Sequence, residues 1–255
     1  MESQVLRRIL ALPVAVVFLI LAAQTAAADD APPLVDTCGS AYSDLAAQSM
    51  WLSTRDGVRL YAVEAGSGAT TIVLAHEAVS SLCEGLPYAK TLIASGLRVL
   101  AFDFRGYGYS DPARGKRLAL GNDLAAAVQR ARGDGASRVF LLGASMGGAA
   151  IVQNTAELAV DGRISLSGTR LWRGFGVNNP TGVRRLRAPF LYVGSRRDRI
   201  TPLQEALRIF RRVGSRDKRT AIYRGSRHGL DLVQSGPYAA RTRALILAWI
   251  RSHSS

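Results

Sequence analysis

The sequence is poor in the residues that build metal centres and redox sites, with 2 cysteines and 3 histidines among 255 residues. Protein metal sites need several Cys, His or acidic ligands at short spacing, and no such cluster occurs. Aromatic residues make up only 7% of the chain, and no basic run is interleaved with them as in many nucleic-acid-binding surfaces. We therefore expect no metal, no cofactor and no nucleic acid partner.

Long apolar runs are also missing, except near the N-terminus. There, residues 7–8 are arginines, residues 9–23 are almost wholly apolar, and residues 26–28 are alanines. This order predicts a secretory signal peptide over residues 1–28. An uncleaved membrane anchor would need ~20 apolar residues, whereas the run here is shorter and contains Pro13. We expect the protein to lose this segment and to be secreted or held in the cell envelope.

Acidic residues are scarce, 19 against 33 basic ones, which gives a formal net charge of +14. The arginines are scattered, with short doublets at 184–185, 196–197 and 211–212. Such a pattern is typical of a solvated surface, although an excess of positive charge also favours acidic lipid headgroups and anionic cell-wall polymers. Electrostatic association with an anionic envelope surface therefore stays open.

The two cysteines are Cys38 and Cys83. An exported protein meets an oxidising environment, where an even number of cysteines favours a disulfide. Two separate thiols fit the sequence equally well, because a disulfide needs a short Cα–Cα distance that the sequence does not give. The Cys38–Cys83 disulfide is therefore one of two open alternatives.

Strand-like and helix-like segments alternate along most of the chain, and residues 29–47 are expected to form a loose leader before them. The first two strands flank a turn at residues 56–57 as an antiparallel hairpin. Short apolar strands that alternate with helices predict a mostly parallel sheet covered on both faces. We expect one α/β domain over residues 48–255, a three-layer α/β/α sandwich with an eight-stranded sheet. The predicted strands are 50–54, 58–64, 70–75, 97–102, 138–142, 163–166, 189–193 and 220–224, and the predicted helices are 88–95, 118–132, 146–158, 203–213 and 238–251.

Residues 143–147, Gly-Ala-Ser-Met-Gly, join one of these strands to a helix that begins near Met146. A nucleophilic serine is held on such a sharp turn, which crowds the positions two before and two after it and so favours glycine there. The helix N-terminus also presents free N–H groups where an oxyanion would form. We predict that Ser145 is a catalytic nucleophile.

A serine nucleophile needs a base to remove its proton, and three histidines are available. His253 lies in a C-terminal tail, and His76 ends the third strand, upstream of the serine. His228 follows the last predicted strand, at the sheet edge where ligands bind in such folds. We predict that His228 is the general base.

The histidine in turn needs a carboxylate that fixes its tautomer. Asp198 follows the strand 189–193 and precedes His228, which gives the order nucleophile, acid, base. Asp231 and Asp161 are the rival acids, and an ion pair with a neighbouring arginine is the structural alternative for Asp198. We predict that Asp198 is the acid.

Together these features resemble the α/β-hydrolase fold family across residues 50–251. Two further segments carry the resemblance: residues 73–76 (Val-Leu-Ala-His) and the loop 102–110, which has the pattern D-x-R-G-x-G-x-S. That loop is normally structural in the family, so Asp103 and Arg105 receive no catalytic role. The resemblance implies a serine hydrolase that works without a cofactor.

The resemblance also implies an oxyanion hole made of two main-chain N–H groups. One belongs to Met146, after the nucleophile, and by position the other belongs to Ala78 or to Glu77. The family commonly has glycine where this chain has Glu77, and a carboxylate close to an oxyanion would oppose catalysis. We therefore expect the Glu77 side chain to point away or to pair with an arginine. His76 is interpreted as a residue that orders this loop.

Many members of the family insert a cap domain between the sixth and seventh strands. Only residues 168–187 are available here, enough for a loop and a helical turn. We therefore expect no cap domain and an open site, suited to short acyl esters or to the chain ends of larger substrates. Leu171, Trp172 and Phe175 could form a rim or could simply pack the loop.

The sequence thus predicts an exported serine hydrolase that cleaves carboxylic esters through an acyl-enzyme. A thioesterase, an amidase or a peptidase would use the same residues, because the fold does not fix the substrate. A non-catalytic binding or envelope-associated protein of the same fold is the alternative from another class. Its support is Glu77 and the basic charge, and a serine-directed inhibitor would distinguish it from an enzyme.

Overall fold

The computed structural model of the protein describes residues 30–113, 119–168 and 182–254, so the predicted signal peptide lies outside it. The described residues form eight strands and seven α-helices. The strands are β1 (Ala47–Ser53), β2 (Arg59–Ala65), β3 (Thr70–Ala75), β4 (Arg98–Phe102), β5 (Arg138–Ala144), β6 (Gly162–Leu166), β7 (Phe190–Ser195) and β8 (Lys218–Tyr223). The helices are α1 (Leu34–Cys38), α2 (Leu82–Ala94), α3 (Leu120–Gly133), α4 (Ser145–Asn154), α5 (Leu203–Arg212), α6 (Asp231–Gln234) and α7 (Ala239–Ser252).

All eight strands form one open sheet in the order β1-β2-β4-β3-β5-β6-β7-β8. The strand β2 is antiparallel to both of its neighbours, whereas the pairs from β4 to β8 are parallel. The hairpin runs from the pair Ala47–Ala65 to the pair Ser53–Arg59, and Gly57 turns the chain with a φ of 76°. The predicted eight-stranded, mostly parallel sheet is confirmed.

Helices cover both faces of the sheet, and the strand side chains alternate between the faces as strand geometry requires. In β3, Ile72 and Leu74 belong to the core that also contains residues of α2, α6 and α7. Their neighbours Val73 and Ala75 belong to the core on the other face, with residues of α3 and α4. Because both faces are buried, the strands read as nearly continuous apolar runs.

The segment before β1 packs against the domain, in contrast to the expected loose leader. It contains α1, and Leu34 of this helix is buried in the core. The hydroxyl of Tyr61 in β2 donates to the Pro32 carbonyl at 2.9 Å and lies 3.0 Å from the Thr37 hydroxyl. These contacts fix α1 against the sheet, so the segment is part of the fold.

A disulfide also holds this segment. Cys38 at the end of α1 is bonded to Cys83 in the first turn of α2, with the two Cα atoms 5.4 Å apart. Of the two alternatives that the sequence leaves open, the structure has the disulfide.

Helix α2 begins six residues before the predicted start, and its first turn is held in two ways. The Ser81 hydroxyl accepts a hydrogen bond from the Cys83 N–H at 3.4 Å, and the Leu82 N–H donates to Asp103 Oδ1 at 2.6 Å. Pro87 lies inside the helix, and proline is rare there because it lacks an N–H. The sequence pattern predicts a helix that begins after Pro87, whereas the helix in the structure begins at Leu82, with a capped first turn, and contains the proline.

The connection from β6 to β7 is only partly described, since residues 169–181 lie outside the described ranges. The candidate rim residues are in that segment: Leu171, Trp172 and Phe175. The expected open site thus concerns residues outside the described ranges. None of the helices in the three described ranges is long and apolar enough to cross a membrane.

Candidate active site

Ser145 lies at the junction of β5 and α4 and has a φ of 47°, in the left-handed region. This backbone conformation is strained for a residue with a side chain. The turn is tight, because a Cβ added at Gly147 would lie 2.4 Å from the Ala75 carbonyl oxygen, and one at Gly143 would lie 2.6 Å from the Gly147 carbonyl carbon. Glycine is required at both positions, which is the physical basis of the sequence pattern around Ser145.

Two other residues with side chains share this conformation in the described part of the chain, Val79 with a φ of 59° and Ser167 with a φ of 54°. Val79 follows the carboxyl end of β3, and Ser167 follows that of β6. In the described ranges, the three non-glycine residues with a positive φ therefore all lie beyond the carboxyl ends of strands. Backbone strain of this kind concentrates at functional sites, where the surrounding structure enforces it.

His228 and Asp198 are in direct contact beyond the carboxyl ends of the strands, where Ser145 also lies. His228 Nδ1 lies 2.8 Å from Asp198 Oδ2, and the second carboxylate oxygen accepts the N–H groups of Ile200 and Thr201, both at 2.9 Å. Burial by itself would raise the pKa of Asp198, but the hydrogen bonds from His228 and Thr201 hold the pKa of this carboxyl below its ordinary value. The carboxylate therefore stays ionised and can orient the imidazole.

The two rival acids have other partners. Asp231 is exposed and pairs with Arg227 at 3.2 Å. Asp161 accepts the Val139 N–H at 2.8 Å and pairs with Arg132. Neither carboxylate hydrogen-bonds to the His228 imidazole in the part of the chain that the structure describes.

Ser145 and His228 are not hydrogen-bonded to each other. His228 Nε2, the nitrogen that would accept the serine proton, is buried and has no hydrogen-bond partner among the described residues. The side chain of His228 is 11% exposed, and Ser145 is 4% exposed. Contacts between a nucleophile and its base are often loose in a protein without substrate and tighten when substrate binds.

The loop after β3 connects the serine turn to the histidine loop. On one side the His76 carbonyl accepts the Gly147 N–H at 3.2 Å. On the other side Glu77 Oε1 accepts the Leu230 N–H at 2.6 Å. Through these two hydrogen bonds, the segments that carry Ser145 and His228 are both held to one loop.

Of the two predicted oxyanion donors, Met146 lies in the first turn of α4 and Ala78 lies on the loop after β3. Neither main-chain N–H has a hydrogen-bond partner among the described residues, and for Met146 this follows from its place in the first helical turn. Both side chains pack in the same apolar cluster. The structure thus leaves two N–H groups available near Ser145.

The Glu77 side chain is directed at the histidine loop, where it accepts the main-chain N–H of Leu230. Of the two courses expected from the sequence, pairing with an arginine is not found among the described residues. Burial raises the pKa of Glu77, the Leu230 hydrogen bond opposes the rise, and the nearby carboxylate of Glu84 adds to it.

His76 and His253 have partners of their own. His76 Nε2 accepts the Phe104 N–H at 2.9 Å, and Nδ1 lies 2.6 Å from the Glu77 carbonyl oxygen. Burial lowers the pKa of His76 to about 4, so the ring is neutral at ordinary pH. His253, expected in a free tail, instead caps α7 and lies 2.8 Å from Asp217.

The loop 102–110 forms an internal polar network. Asp103 accepts the N–H groups of Leu82 and Tyr109. The fully buried Arg105 pairs with Asp123 and with Asp56, both at 2.7 Å. The charged groups of Asp103 and Arg105 make hydrogen bonds or ion pairs that hold this loop, so these two residues have a structural role.

Tyr107 is a neighbour of the site that the sequence did not single out. Its ring lies edge-on to His76, with centroids 5.2 Å apart, and its hydroxyl lies 3.5 Å from Met146 Sδ. The only signal in the sequence was an aromatic residue between two glycines in a loop read as structural. In the described part of the chain, no three His, Cys, Asp or Glu side chains are grouped to hold a metal ion.

One protein family matches part of the chain. The family described as serine aminopeptidase, S33, matches residues 67–168, which include the loop after β3 and the serine turn. No curated protein sequence matches this chain.

Several solved structures share the fold. An esterase from Pyrococcus furiosus has a TM-score of 0.73 at 16% identity and covers 89% of this chain and 100% of its own. An esterase from a Rhodococcus species has a TM-score of 0.68 at 20% identity and covers 80% of this chain and 99% of its own. A monoacylglycerol lipase from Paleococcus ferrophilus has a TM-score of 0.65 at 18% identity and covers 76% of this chain and 99% of its own.

Proposed function

We propose that this chain, which has the α/β-hydrolase fold, is an exported serine hydrolase that cleaves carboxylic esters through an acyl-enzyme. The observation that carries the proposal is the 2.8 Å contact between His228 Nδ1 and Asp198 Oδ2, at the same sheet edge as the strained serine turn. A histidine held in this way presents Nε2 as a base.

In the proposed reaction, Ser145 Oγ attacks the ester carbonyl carbon while its proton moves to His228 Nε2. The carbonyl oxygen gains the negative charge and accepts hydrogen bonds from the N–H groups of Met146 and Ala78. Collapse of this intermediate breaks the bond to the alcohol oxygen, which takes the proton from Nε2. Water then repeats the sequence on the acyl-enzyme and releases the carboxylic acid, while Asp198 stabilises the charged imidazole in both halves.

The proposal is tested with a fluorophosphonate probe on the purified protein, read by intact mass and by peptide mapping. We expect one adduct on Ser145, lost in Ser145→Ala and in His228→Ala. Circular dichroism establishes that each variant is folded. A folded wild-type protein that forms no adduct would overturn the proposal and favour the non-catalytic binding protein of the same fold.

A peptidase is the second candidate, because the family that matches residues 67–168 is described as serine aminopeptidase. Ester and amide cleavage use the same nucleophile and differ in the leaving group that the base must protonate. Hydrolysis of p-nitrophenyl acetate and butyrate is therefore compared with that of aminoacyl p-nitroanilides. A higher kcat/KM for the anilides would replace the esterase proposal by that of an aminopeptidase.

Export is part of the proposal and rests on the pattern of residues 1–28 together with the Cys38–Cys83 disulfide, since disulfides persist in oxidising compartments. The N-terminus of the protein recovered outside the cytoplasm of an expressing bacterium is sequenced. We expect it to begin at Asp29. Recovery only inside the cytoplasm, with residues 1–28 intact, would contradict export.

A further inference from the structure

Among the described residues, the excess of positive charge lies in the C-terminal range. Residues 182–254 contain 16 arginines and 1 lysine against 4 acidic residues, a net charge of +13. Residues 30–113 and 119–168 together contain 9 basic and 13 acidic residues, a net charge of −4. Of the 26 basic residues in the described ranges, 17 therefore belong to residues 182–254, about a third of the described structure.

The fold places the two strands of residues 182–254 at one end of the sheet. Residues 182–254 form β7 and β8, the last two strands in the sheet order, together with α5 to α7. Helix α7 runs along β8, because Tyr238 at its start stacks on Tyr223, while His253 at its end contacts Asp217 beside the start of β8. The free edge of β8 and the helices beside it thus form a strongly basic end of the molecule.

Two hollows lie on this basic end. One, of about 660 Å³, is lined by Arg184, Arg187 and Arg216 together with Pro189, Gly214 and Asp217. The other, of about 370 Å³, lies between β8 and α7 and includes Arg219, Arg224 and Arg241. Within the described ranges, none of these six arginines has an ion-pair partner. All six residues are exposed, and among them Arg187 Nη1 donates to the Arg184 and Leu186 carbonyl oxygens.

We propose that this basic end binds a linear polyphosphate, a chain whose charges are phosphate groups and which carries no bases. Arginine presents a planar fork of N–H donors that matches phosphate oxygens in pairs, which lysine cannot do, and all but one of the cations here are arginines. The unpaired arginines of the two hollows provide the charge complementarity. A narrow chain can follow concave hollows beside a strand edge, whereas a flat bilayer cannot.

Two other anionic partners fit the surface less well. A membrane-binding face usually carries exposed apolar side chains beside its cations, but the large exposed apolar residues in the described ranges are Val35, Val79, Tyr109 and Ile200, none of them in these hollows. Single-stranded nucleic acid is held by base stacking on exposed aromatic rings, and the rings of Tyr223 and Tyr238 stack on each other.

The first hollow lies away from the candidate active site. Arg187 and Arg216 lie just before the amino ends of β7 and β8, whereas Asp198 and His228 follow the carboxyl ends of the same strands. Six residues of strand separate the two ends by roughly 20 Å. The second hollow extends along β8 to Arg224, so a polyanion that occupies both hollows would reach the end of the strands where the candidate active site lies. The proposal stands whether or not Ser145 is catalytic.

The test measures binding of linear inorganic polyphosphate to the purified protein by isothermal titration calorimetry over a series of salt concentrations. One variant carries Arg216→Gln, Arg219→Gln and Arg241→Gln. The matched control carries Arg55→Gln, Arg59→Gln and Lys90→Gln, which removes the same charge at the other end of the sheet. Thermal unfolding of all three proteins confirms that they are folded.

We expect the affinity of the wild-type protein to fall as salt rises. The slope of log K against log salt should decrease by about 2 to 3 in the first variant and stay near the wild-type value in the control. Equal losses in the two variants would overturn the proposal, because they would show an effect of net charge alone. Tighter binding to phosphatidylglycerol vesicles or to single-stranded DNA than to polyphosphate would overturn it in favour of a membrane or a nucleic acid.

Discussion

Glu77 and Leu230 are joined by a hydrogen bond of 2.6 Å, from the Leu230 main-chain N–H to the Glu77 carboxylate. The two residues are 153 positions apart in the chain, and the bond ties the loop after β3 to the loop that carries His228. The residue that the sequence marked as a danger to the oxyanion hole thus holds the loop that carries the predicted base.

Two replacements of Glu77 distinguish its role as a hydrogen-bond acceptor from the effect of its charge. Glu77→Ala leaves the Leu230 N–H without its partner, a loss that typically amounts to 1–3 kcal/mol, and releases the histidine loop. We expect kcat/KM to fall about 10-fold or more, while Glu77→Gln, which keeps an oxygen acceptor, retains most of the activity. Kinetics on p-nitrophenyl butyrate and the rate of fluorophosphonate labelling of Ser145 measure both variants. If the alanine and glutamine variants behave alike, the hydrogen bond does not position His228.

Gly229 is the point where this loop and Glu77 come closest. Its φ is +53°, and a Cβ added there would lie 1.7 Å from Glu77 Oε1. Gly229→Ala must therefore displace the carboxylate or the His228 loop, and we expect loss of most activity with a melting temperature lowered by several degrees. Gly225→Ala is the control, since its Cβ would meet no atom within 4 Å although its φ is also positive. Equal effects in the two variants would point to backbone strain in place of the contact.

The choice between the acids Asp198 and Asp231 has a direct test. Asp198→Asn keeps the shape of the side chain but removes the charge that holds the imidazole, and we expect kcat to fall about 10³- to 10⁴-fold. Asp231→Asn removes an exposed ion pair with Arg227 and keeps an oxygen that can accept the Ser235 hydroxyl. It should leave kcat within about threefold of wild type, because exposed ion pairs contribute little. The reverse order of effects would reassign the acid.

The buried His76 links stability to pH. Burial lowers its pKa to about 4 from an ordinary 6.5, so between these values the unfolded chain binds more protons than the folded protein. The free energy of unfolding should therefore decrease as pH falls from 6.5 to 4, by up to about 1.4 kcal/mol per pH unit from this residue. Urea unfolding at a series of pH values measures the slope. NMR should show no titration of the His76 ring between pH 8 and 5, and a ring that protonates within that range would contradict the prediction.

The disulfide should stabilise the fold through the unfolded chain. It links residues 45 positions apart, and loss of such a cross-link typically costs about 2–4 kcal/mol. We expect the double variant Cys38→Ser, Cys83→Ser to unfold at lower urea concentration, and a reducing agent to have the same effect on the wild-type protein. Reduction that changes the wild-type midpoint no more than it changes that of the double variant would show that the bond contributes nothing.

The strands and most helices were predictable because their information is local. Continuous apolar runs mark β3 and β5, whose two buried faces need apolar residues at every position. The bounds of β3 were predicted without error at 70–75, whereas α2 began earlier than predicted. Its first turn depends on Asp103, which lies 21 residues further along, and no local pattern contains that contact.

The sequence by itself determined the sheet, the tight turn at Ser145 with its two obligatory glycines, and the identity of Asp198, His228, Met146 and Ala78 as predicted site residues. These follow from patterns a few residues long, whose steric and periodic causes act between neighbours. Tertiary structure alone decided the direction of the Glu77 side chain, the Cys38–Cys83 pairing and the placement of six exposed arginines in two hollows. Such features depend on which distant segments the sheet order brings into contact, and hydrogen bonds, disulfides and charge act over a few ångströms in space, whatever the separation along the chain.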